Sequence, residues 1–510
     1  MNLLITALVT FFWHTGGIDF TNTRFIKELY LASLIDKTWE IKLDGEILNS
    51  PCIANRTIYI GTKSGLVYSI NESGKIVWQV NIGSELLSPV FYKNKSIFVA
   101  PTDGKLYVLS AKSGKIKKEI DLKLGKSVSA PIVYKGRLFI GTGYPYSGIK
   151  SIDLEFVKEW RIPTKQMVYS TFAIKGDTGY IGANDGYLYA IDINKGKIIW
   201  KFATNGFVYK SSPCLVDSFV IFATGGIDGS LYLLNRKTGN LIWRISLREL
   251  LIEYLTKTYG EPKNPEKYQL PIFPQAYRLV GLPVKKEYCP YIEISSPVSD
   301  GEKVFIACGH EREFLVAVDI NTGKLLWLKE LGKPSGLNTL PTPFITGDII
   351  HIVTCDGKLY GLHTNNGAKI YSDDLKERVI ASPALMGDKI IIGTESGKLI
   401  AIAGEEKYPE EKLVYKFFFE CEPNPFRKFA TFKFGVPGVK DGKKSFVELR
   451  IYNVAGQLVA RPISRYYSPG VYTIQWKGKN LHGFTLPSGV YFARIKIGKE
   501  STTQKIVKIK

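Results

Sequence analysis

Two loops carry side chains that turn geometry does not demand: Gly309-His310-Glu311-Arg312-Glu313 and Tyr144-Pro145-Tyr146. Side chains of these types on loops suit ligand or partner binding. Tyr144, Tyr146, Tyr254, His310, Glu311 and Arg312 are the candidate binding residues. Acidic loop tips recur at Asp103, Asp185, Asp228, Glu311 and Asp356. A metal or ligand role for them competes with a plainer reading, because most are Asp-Gly pairs, which make tight turns.

Catalytic signatures are missing. The six cysteines include no CxxC pair and the five histidines are scattered, which argues against a zinc site. No G-x-S-x-G, P-loop, His-Glu metal spacing or C-x-x-C-H occurs. The expectation is a chain that is not an enzyme, with no cofactor and no metal.

A repeat must position these loops. Residues 185–200, DGYLYAIDINKGKIIW, read as a hairpin: a strand of period two, a tight turn at Asn194-Lys195-Gly196, and a second strand ending on Trp200. The same phrase ends at Trp39, Trp78, Trp160, Trp243 and Trp327, with Lys118 and Tyr371 in the tryptophan place of two further units. The intervals run from 39 to 44 residues, with one of 84. Each unit has the size of a four-stranded propeller blade. A second phrase opens the innermost strands: Ser50-Pro51, Ser88-Pro89, Ala130-Pro131, Ser212-Pro213, Ser296-Pro297, Thr342-Pro343 and Ser382-Pro383, with Ser170-Thr171 in the fourth unit. The count is eight units, so the long interval is one blade plus an insertion.

The expected fold class is all-β, an eight-bladed β-propeller followed by a small Ig-like β-sandwich. Residues 38–43 form an outer strand without inner partners, and 381–403 form three inner strands without an outer one. Together they complete one blade and remove the free edge. Trp39, Trp78, Trp160, Trp200, Trp243 and Trp327 are read as blade-docking residues that bury aromatic area between sheets. Cys52 and Cys214 then lie on opposite blades and cannot bridge. Cys289 and Cys308 flank the end of the insertion and are a candidate pair.

The phrase of aliphatic strand, Asp or Asn, two residues, Gly-Lys and Trp resembles the PQQ-type propeller repeat. That repeat is shared by quinoprotein alcohol dehydrogenases and BamB-type outer-membrane assembly lipoproteins. The resemblance covers 38–404 and speaks for fold more than function. It implies, for the dehydrogenases, a bridged pair of adjacent cysteines and acidic and amide calcium ligands; this chain has no adjacent cysteines. For BamB-type proteins it implies an N-terminal lipidation cysteine, and none precedes Cys52.

Around the propeller, residues 1–17 read as a signal peptide, with an apolar core at 3–13 too short to span a bilayer. Residues 18–37 read as a leader, with helical spacing of Phe25, Leu29, Leu31 and Leu34. The insertion, 246–292, opens with a Ser246/Glu249 capping box. A helix with Leu247, Leu250, Leu251, Tyr254, Leu255 and Tyr259 on one face follows, then a proline-rich run beside the mouth of the central channel. A charged linker, 405–415, leads to a tail, 416–510. Residues 412–510 hold 19 Lys and Arg against 5 Asp and Glu, which favours an anionic surface. The tail's strands are expected near 429–434, 446–452, 457–461, 471–476, 490–496 and 502–509. Pro423-Asn424-Pro425-Phe426, ELRIYNVAGQLVA, Trp476-Lys477-Gly478, Ser488-Gly489-Val490-Tyr491-Phe492 and a closing TTQKIVKIK resemble the Ig-like sorting domains of type IX secretion cargo and the related FlgD-type domain.

The expectation is therefore a secreted or cell-surface, outer-membrane-associated binding or scaffold propeller, exported or anchored through its tail. Its partners would be a protein or polysaccharide ligand and the secretion machinery. No nucleic acid and no transmembrane span are expected, and the chain is read as a monomer. The alternatives are a quinone- or metal-dependent oxidoreductase and a BamB-like assembly scaffold.

Overall fold

The computed structural model describes residues 20–27, 29, 31–226, 228–259, 292–309, 312–333, 340–406, 414–415, 417–439, 444–481 and 483–509. Two compact units divide the chain, Met1–Lys407 and Tyr408–Lys510. The described residues are strands and turns with one helix, α1 (Leu247–Tyr259).

The first unit is a propeller of antiparallel sheets, eight among the described residues. The fourth sheet shows how the repeat folds. Its strands run in chain order: Ala173–Lys175, Thr178–Gly182, Tyr187–Asp192 and Lys197–Ala203. The two middle strands are buried along most of their length, because neighbouring sheets cover both faces. The outermost strand alternates and leaves its other face to solvent. Between the last two strands, Asp192 Oδ1 accepts the backbone N–H groups of Asn194 and Lys195, both at 3.0 Å, which sets the turn.

That turn explains the Gly-Lys of the repeat. Gly239, the same position one sheet later, takes φ +76°, and a Cβ there would stand 2.7 Å from Trp200 Cδ2. The Trp200 ring thus lies flat on a neighbouring turn that only glycine leaves open, and its indole Nε1 donates to Arg236 O of that turn at 3.2 Å. The contact recurs around the unit: Trp78 donates to Ala111 O (3.0 Å), Trp160 to Ile193 O (3.1 Å), Trp243 to Ile320 O (2.8 Å) and Trp327 to Thr364 O (2.9 Å). Lys118, in a tryptophan place, instead sets its ammonium 4.7 Å from the centroid of Phe156, which occupies the glycine place at φ +65°.

The last sheet is built from both ends of the unit. Strand Leu31–Lys42 pairs with Lys398–Glu406, beside Lys389–Gly393 and Ala384–Met386. Trp39 then donates to Glu72 O of the first sheet at 2.9 Å. The leader departs from expectation. Among the described residues of Phe25–Leu34 there is no helix: Phe25–Ile26 is a strand pairing in parallel with Phe344–Thr346, and Leu31 already begins the strand that runs to Lys42. Residues 20–26 instead form an extended strap. Their carbonyls accept backbone N–H groups of four sheets in turn: Ile174 to Phe20, Leu215 to Thr21, Ser299 to Thr23, and Ile345 to Arg24. Backbone partners supplied by four sheets override helical side-chain spacing.

In the second unit, Phe418–Glu422, Ala430–Val436 and Gly470–Trp476 form one sheet. Leu458–Tyr467, Ser445–Asn453, Gly489–Ile497 and Glu500–Lys508 form another. Phe432, Phe434, Leu449, Ile451, Ala493 and Ile495 share their core. The strand at Phe418–Glu422 lies outside the expected set. The span read as a linker is shorter than expected, because the strand before it runs to Glu406 and Val414–Tyr415 pairs with Gly438–Val439.

Two ionisable groups are sealed in the sixth and seventh sheets. His351 stacks on Phe344 with centroids 4.7 Å apart and bonds Thr346 Oγ1 through Nε2 at 2.6 Å and the Tyr371 hydroxyl through Nδ1. Burial pulls its pKa down to about 3, so the ring is neutral. Glu313 is fully buried; it accepts the Cys355 N–H at 2.9 Å through Oε2, while Oε1 has no partner. Burial pushes its pKa up to about 8, against the Cys355 bond and with repulsion from Asp356 and Glu293.

Two outcomes follow from this packing. Trp200→Ala is expected to cost about 3 kcal/mol or more, read as a lowered urea midpoint of the propeller. Glu313 holds its proton in the folded state up to about pH 8, whereas the unfolded chain releases it near pH 4. Its contribution to stability is therefore complete at acid pH and lost as pH rises through about 8. Glu313→Gln should raise the melting temperature relative to the parent at pH 8, and the difference should shrink at pH 4 to 5. An equal shift at both pH values would contradict this.

Candidate functional site

α1 begins where Ser246 Oγ accepts the Glu249 N–H at 3.2 Å, one half of the expected capping box. Leu247 and Leu251 are buried with Ile292, Ile294 and Phe314. Tyr254 stands edge-on to Phe314, with centroids 5.5 Å apart. These contacts fix the helix on the sixth sheet. Its last residue departs from the expected apolar face: Tyr259 is 55% exposed. The Arg312 guanidinium lies 4.2 Å from its ring centroid and Arg312 Nη1 donates to its hydroxyl at 3.1 Å. The Tyr259 hydroxyl donates to Glu330 Oε2 at 3.0 Å, and Arg312 also pairs with Glu330 Oε1. The bond to Glu330 raises the phenol's pKa. An aromatic, a cation and an anion thus meet at one exposed corner, which suits binding of a polar or aromatic surface. The sequence pointed to Arg312 and Tyr254 but missed Tyr259 and Glu330, which lie far from Arg312 in the chain.

Other expected residues fall elsewhere. Tyr144 and Tyr146 lie on a loop of the third sheet, 72% and 40% exposed, with the Tyr146 carbonyl held by the Thr142 hydroxyl. Among the described residues no hydrogen bond or ring contact joins them to the α1 corner. His310, Glu311, Cys289 and the proline-rich part of the insertion lie outside the described residues. Cys52, Cys214, Cys308 and Cys355 are buried.

The acidic tips are engaged within their own sheets. Asp103 accepts the hydroxyl of Tyr107 at 3.0 Å, Asp185 that of Tyr189 at 2.7 Å and Asp228 that of Tyr232 at 2.7 Å, each four residues on. Asp228 also pairs with Arg244 at 2.8 Å, and Asp356 accepts from Thr354 at 2.6 Å. Among the described residues, no three His, Cys, Asp or Glu side chains are grouped to hold a metal, and no helix is long and apolar enough to cross a membrane.

A cavity of about 110 Å³ lies at the centre of the sheets, lined by the segments that lead into the innermost strands. Asn22 and Arg24 of the strap reach it, Asn22 Nδ2 donating to Pro213 O at 3.0 Å and Arg24 Nη1 to Thr342 O at 2.9 Å.

Comparison with known proteins follows this geometry. The family model described as outer membrane protein assembly factor BamB matches residues 33–154, 157–260 and 290–406. The secretion system C-terminal sorting domain matches 422–510. BamB of Salmonella typhimurium is 28% identical over 86 residues, 17% of this chain and 20% of that protein. The chain thus spans about a fifth of the length of that curated relative. The crystal structure of BamB from Moraxella catarrhalis superposes with a TM-score of 0.55 at 17% identity, over 73% of this chain and 98% of that one. Quinohemoprotein alcohol dehydrogenase from Comamonas testosteroni gives 0.59 at 15% identity, over 80% and 82%. At such identities both structures speak for a propeller fold alone. The sorting tail makes the protein a secreted or cell-surface one that engages export machinery of type IX. With two thirds of its length matched by one model, the chain belongs to the BamB family of PQQ-type repeat proteins.

Proposed function

We propose that the protein is an exported, non-catalytic, eight-bladed propeller that presents the α1 corner to a protein or polysaccharide partner at the cell surface, with an Ig-like tail as its address. The observation that carries this reading is the pairing of a propeller with a sorting tail at 422–510. The eight sheets read as one ring, because Trp39 bonds the last sheet to the first with the contact used between its neighbours. Acids on the loop tips are held by tyrosines and turns, whereas the Arg312–Tyr259–Glu330 corner is an exposed polar group built by tertiary contact around an aromatic ring. The two sheets of the tail unit, sharing one core, have the make-up of an Ig-like sandwich that folds without the propeller. A monomer needs no second copy to complete the ring.

A second reading is an assembly scaffold at the outer membrane, favoured by the family match and by the BamB relatives. An oxidoreductase role draws only on fold likeness.

Truncation at about residue 411 should leave a folded propeller in the periplasm, while the full chain reaches the surface. Equal surface amounts of both forms, measured by fractionation of a type IX-competent host, would remove the tail's role as an address. Arg312→Ala with Tyr259→Ala should reduce crosslinking to the surface partner without changing the melting temperature by more than a few degrees. Purified protein given a quinone and Ca²⁺ should oxidise neither alcohols nor aldoses above background; turnover that survives repurification would favour the dehydrogenase reading.

A further inference from the structure

The inner rim carries an open circuit of five hydroxyl groups, running from the fourth sheet to the eighth. The Ala130 N–H donates to Thr171 Oγ1 at 3.4 Å, the Thr171 N–H to Ser212 Oγ at 3.0 Å, and the Ser212 N–H to Ser296 Oγ at 2.8 Å. The Ser296 N–H donates to Thr342 Oγ1 at 3.3 Å and the Thr342 N–H to Ser382 Oγ at 2.9 Å. Each oxygen acts as acceptor toward the preceding sheet, so its own O–H hydrogen is directed elsewhere. A hydroxyl has one hydrogen to donate as well as lone pairs to accept. Among the described residues none of the five donates to a protein acceptor, and all five line the central cavity.

Two cations face the same space. The buried Arg24 guanidinium is oriented by bonds to the carbonyls of Thr342 and Pro383. The half-buried Lys210 places Nζ 5.9 Å from the centroid of the Tyr209 ring and makes no ion pair with a described residue. No Asp or Glu is among the described lining residues. Positive charge removed from water calls for an anion, and an arc of O–H donors calls for acceptors. The cavity volume is on the scale of a few water molecules.

We propose that the central channel binds one small oxyanion of phosphate size, held by the Lys210 ammonium and the hydroxyls of the circuit in the positive field of Arg24. Each contact is a charge-assisted hydrogen bond, the stronger kind. The site is separate from the α1 corner and does not depend on the partner proposed there. Burial lowers the Lys210 ammonium to about pKa 8. The groups facing it are the phenols of Tyr169 and Tyr209, both held above their usual range by burial, and Arg24. The phenols stay neutral across pH 7 to 9, so loss of the lysine proton weakens binding as pH rises through about 8.

Isothermal titration of the full chain with sodium phosphate, then with sodium sulfate and sodium acetate, tests this in chloride buffer at fixed ionic strength and pH 7. One saturable site is expected for phosphate or sulfate, weaker for acetate, and weaker at pH 9 than at pH 7. Lys210→Met should weaken binding at least tenfold, Lys210→Arg should keep it within a few-fold, and Ser296→Ala with Ser382→Ala should lie between. The basic tail is unchanged in every variant, so anion attraction by its surface cancels. Circular dichroism checks that each variant folds; if Lys210→Met does not, the paired serine variant carries the test. No saturable site in the parent, or binding by Lys210→Met or the paired serine variant equal to the parent's, overturns the proposal.

Discussion

The tryptophan laid on the next sheet's glycine turn is the contact on which the propeller depends. Each sheet is only four or five strands wide, and its innermost strand is often three residues long. Such a sheet has little stability alone. The indole supplies a large apolar area, a fixed orientation through its Nε1 bond, and a distance set by a residue without Cβ. Three constraints are met by one pair of residues, so the pair can repeat with little else in common between units. Where tryptophan is replaced, the junction changes chemistry: Lys118 over Phe156 uses a cation and a ring, and Tyr371 turns inward to His351.

A structure held together at its outer strands leaves its centre open to other uses. The N-terminal residues occupy part of that centre. Residues 20–26 cross from the fourth sheet to the seventh through backbone bonds, and the next strand completes the eighth sheet. One short segment thus ties five sheets. Arg24 is sealed within it at 2% exposure, and the carbonyls it meets come from two different sheets. Those carbonyls engage Nη1 and Nη2, so Arg24 orients the strap as well as carrying charge to the channel.

Both proposed sites turn on which polar groups the fold leaves exposed or with hydrogens to spare. Carboxylates at loop tips are the obvious suspects in a linear reading, yet the tyrosine four residues on takes up Asp103, Asp185 and Asp228. Five hydroxyls, four of them on residues just before a proline that look like mere spacing markers, instead form a bonded series with hydrogens to spare. The exposed corner at Arg312 exists because α1 brings Tyr259 across from a separate part of the chain.

The sequence alone determined the elements whose causes are local. Period-two strands, an Asp or Asn capping the turn, a glycine at positive φ and a tryptophan at constant spacing each act within a few residues, so the repeat and the orphan strand around Trp39 could be read directly. The tail's phrases were legible for the same reason, although its strand at Phe418–Glu422 was not. Only the tertiary structure decided the rest. The leader's Phe25, Leu29, Leu31 and Leu34 follow helical spacing, but their segment pairs as strand because its backbone partners lie some hundreds of positions away, Phe25 with Ile345 and Leu31 with Glu406. The hydroxyl circuit links residues about 40 apart, and 84 apart where the insertion intervenes. The hydroxyls themselves recur with the repeat, but the hydrogen bonds between them exist only once the sheets are arranged around the channel.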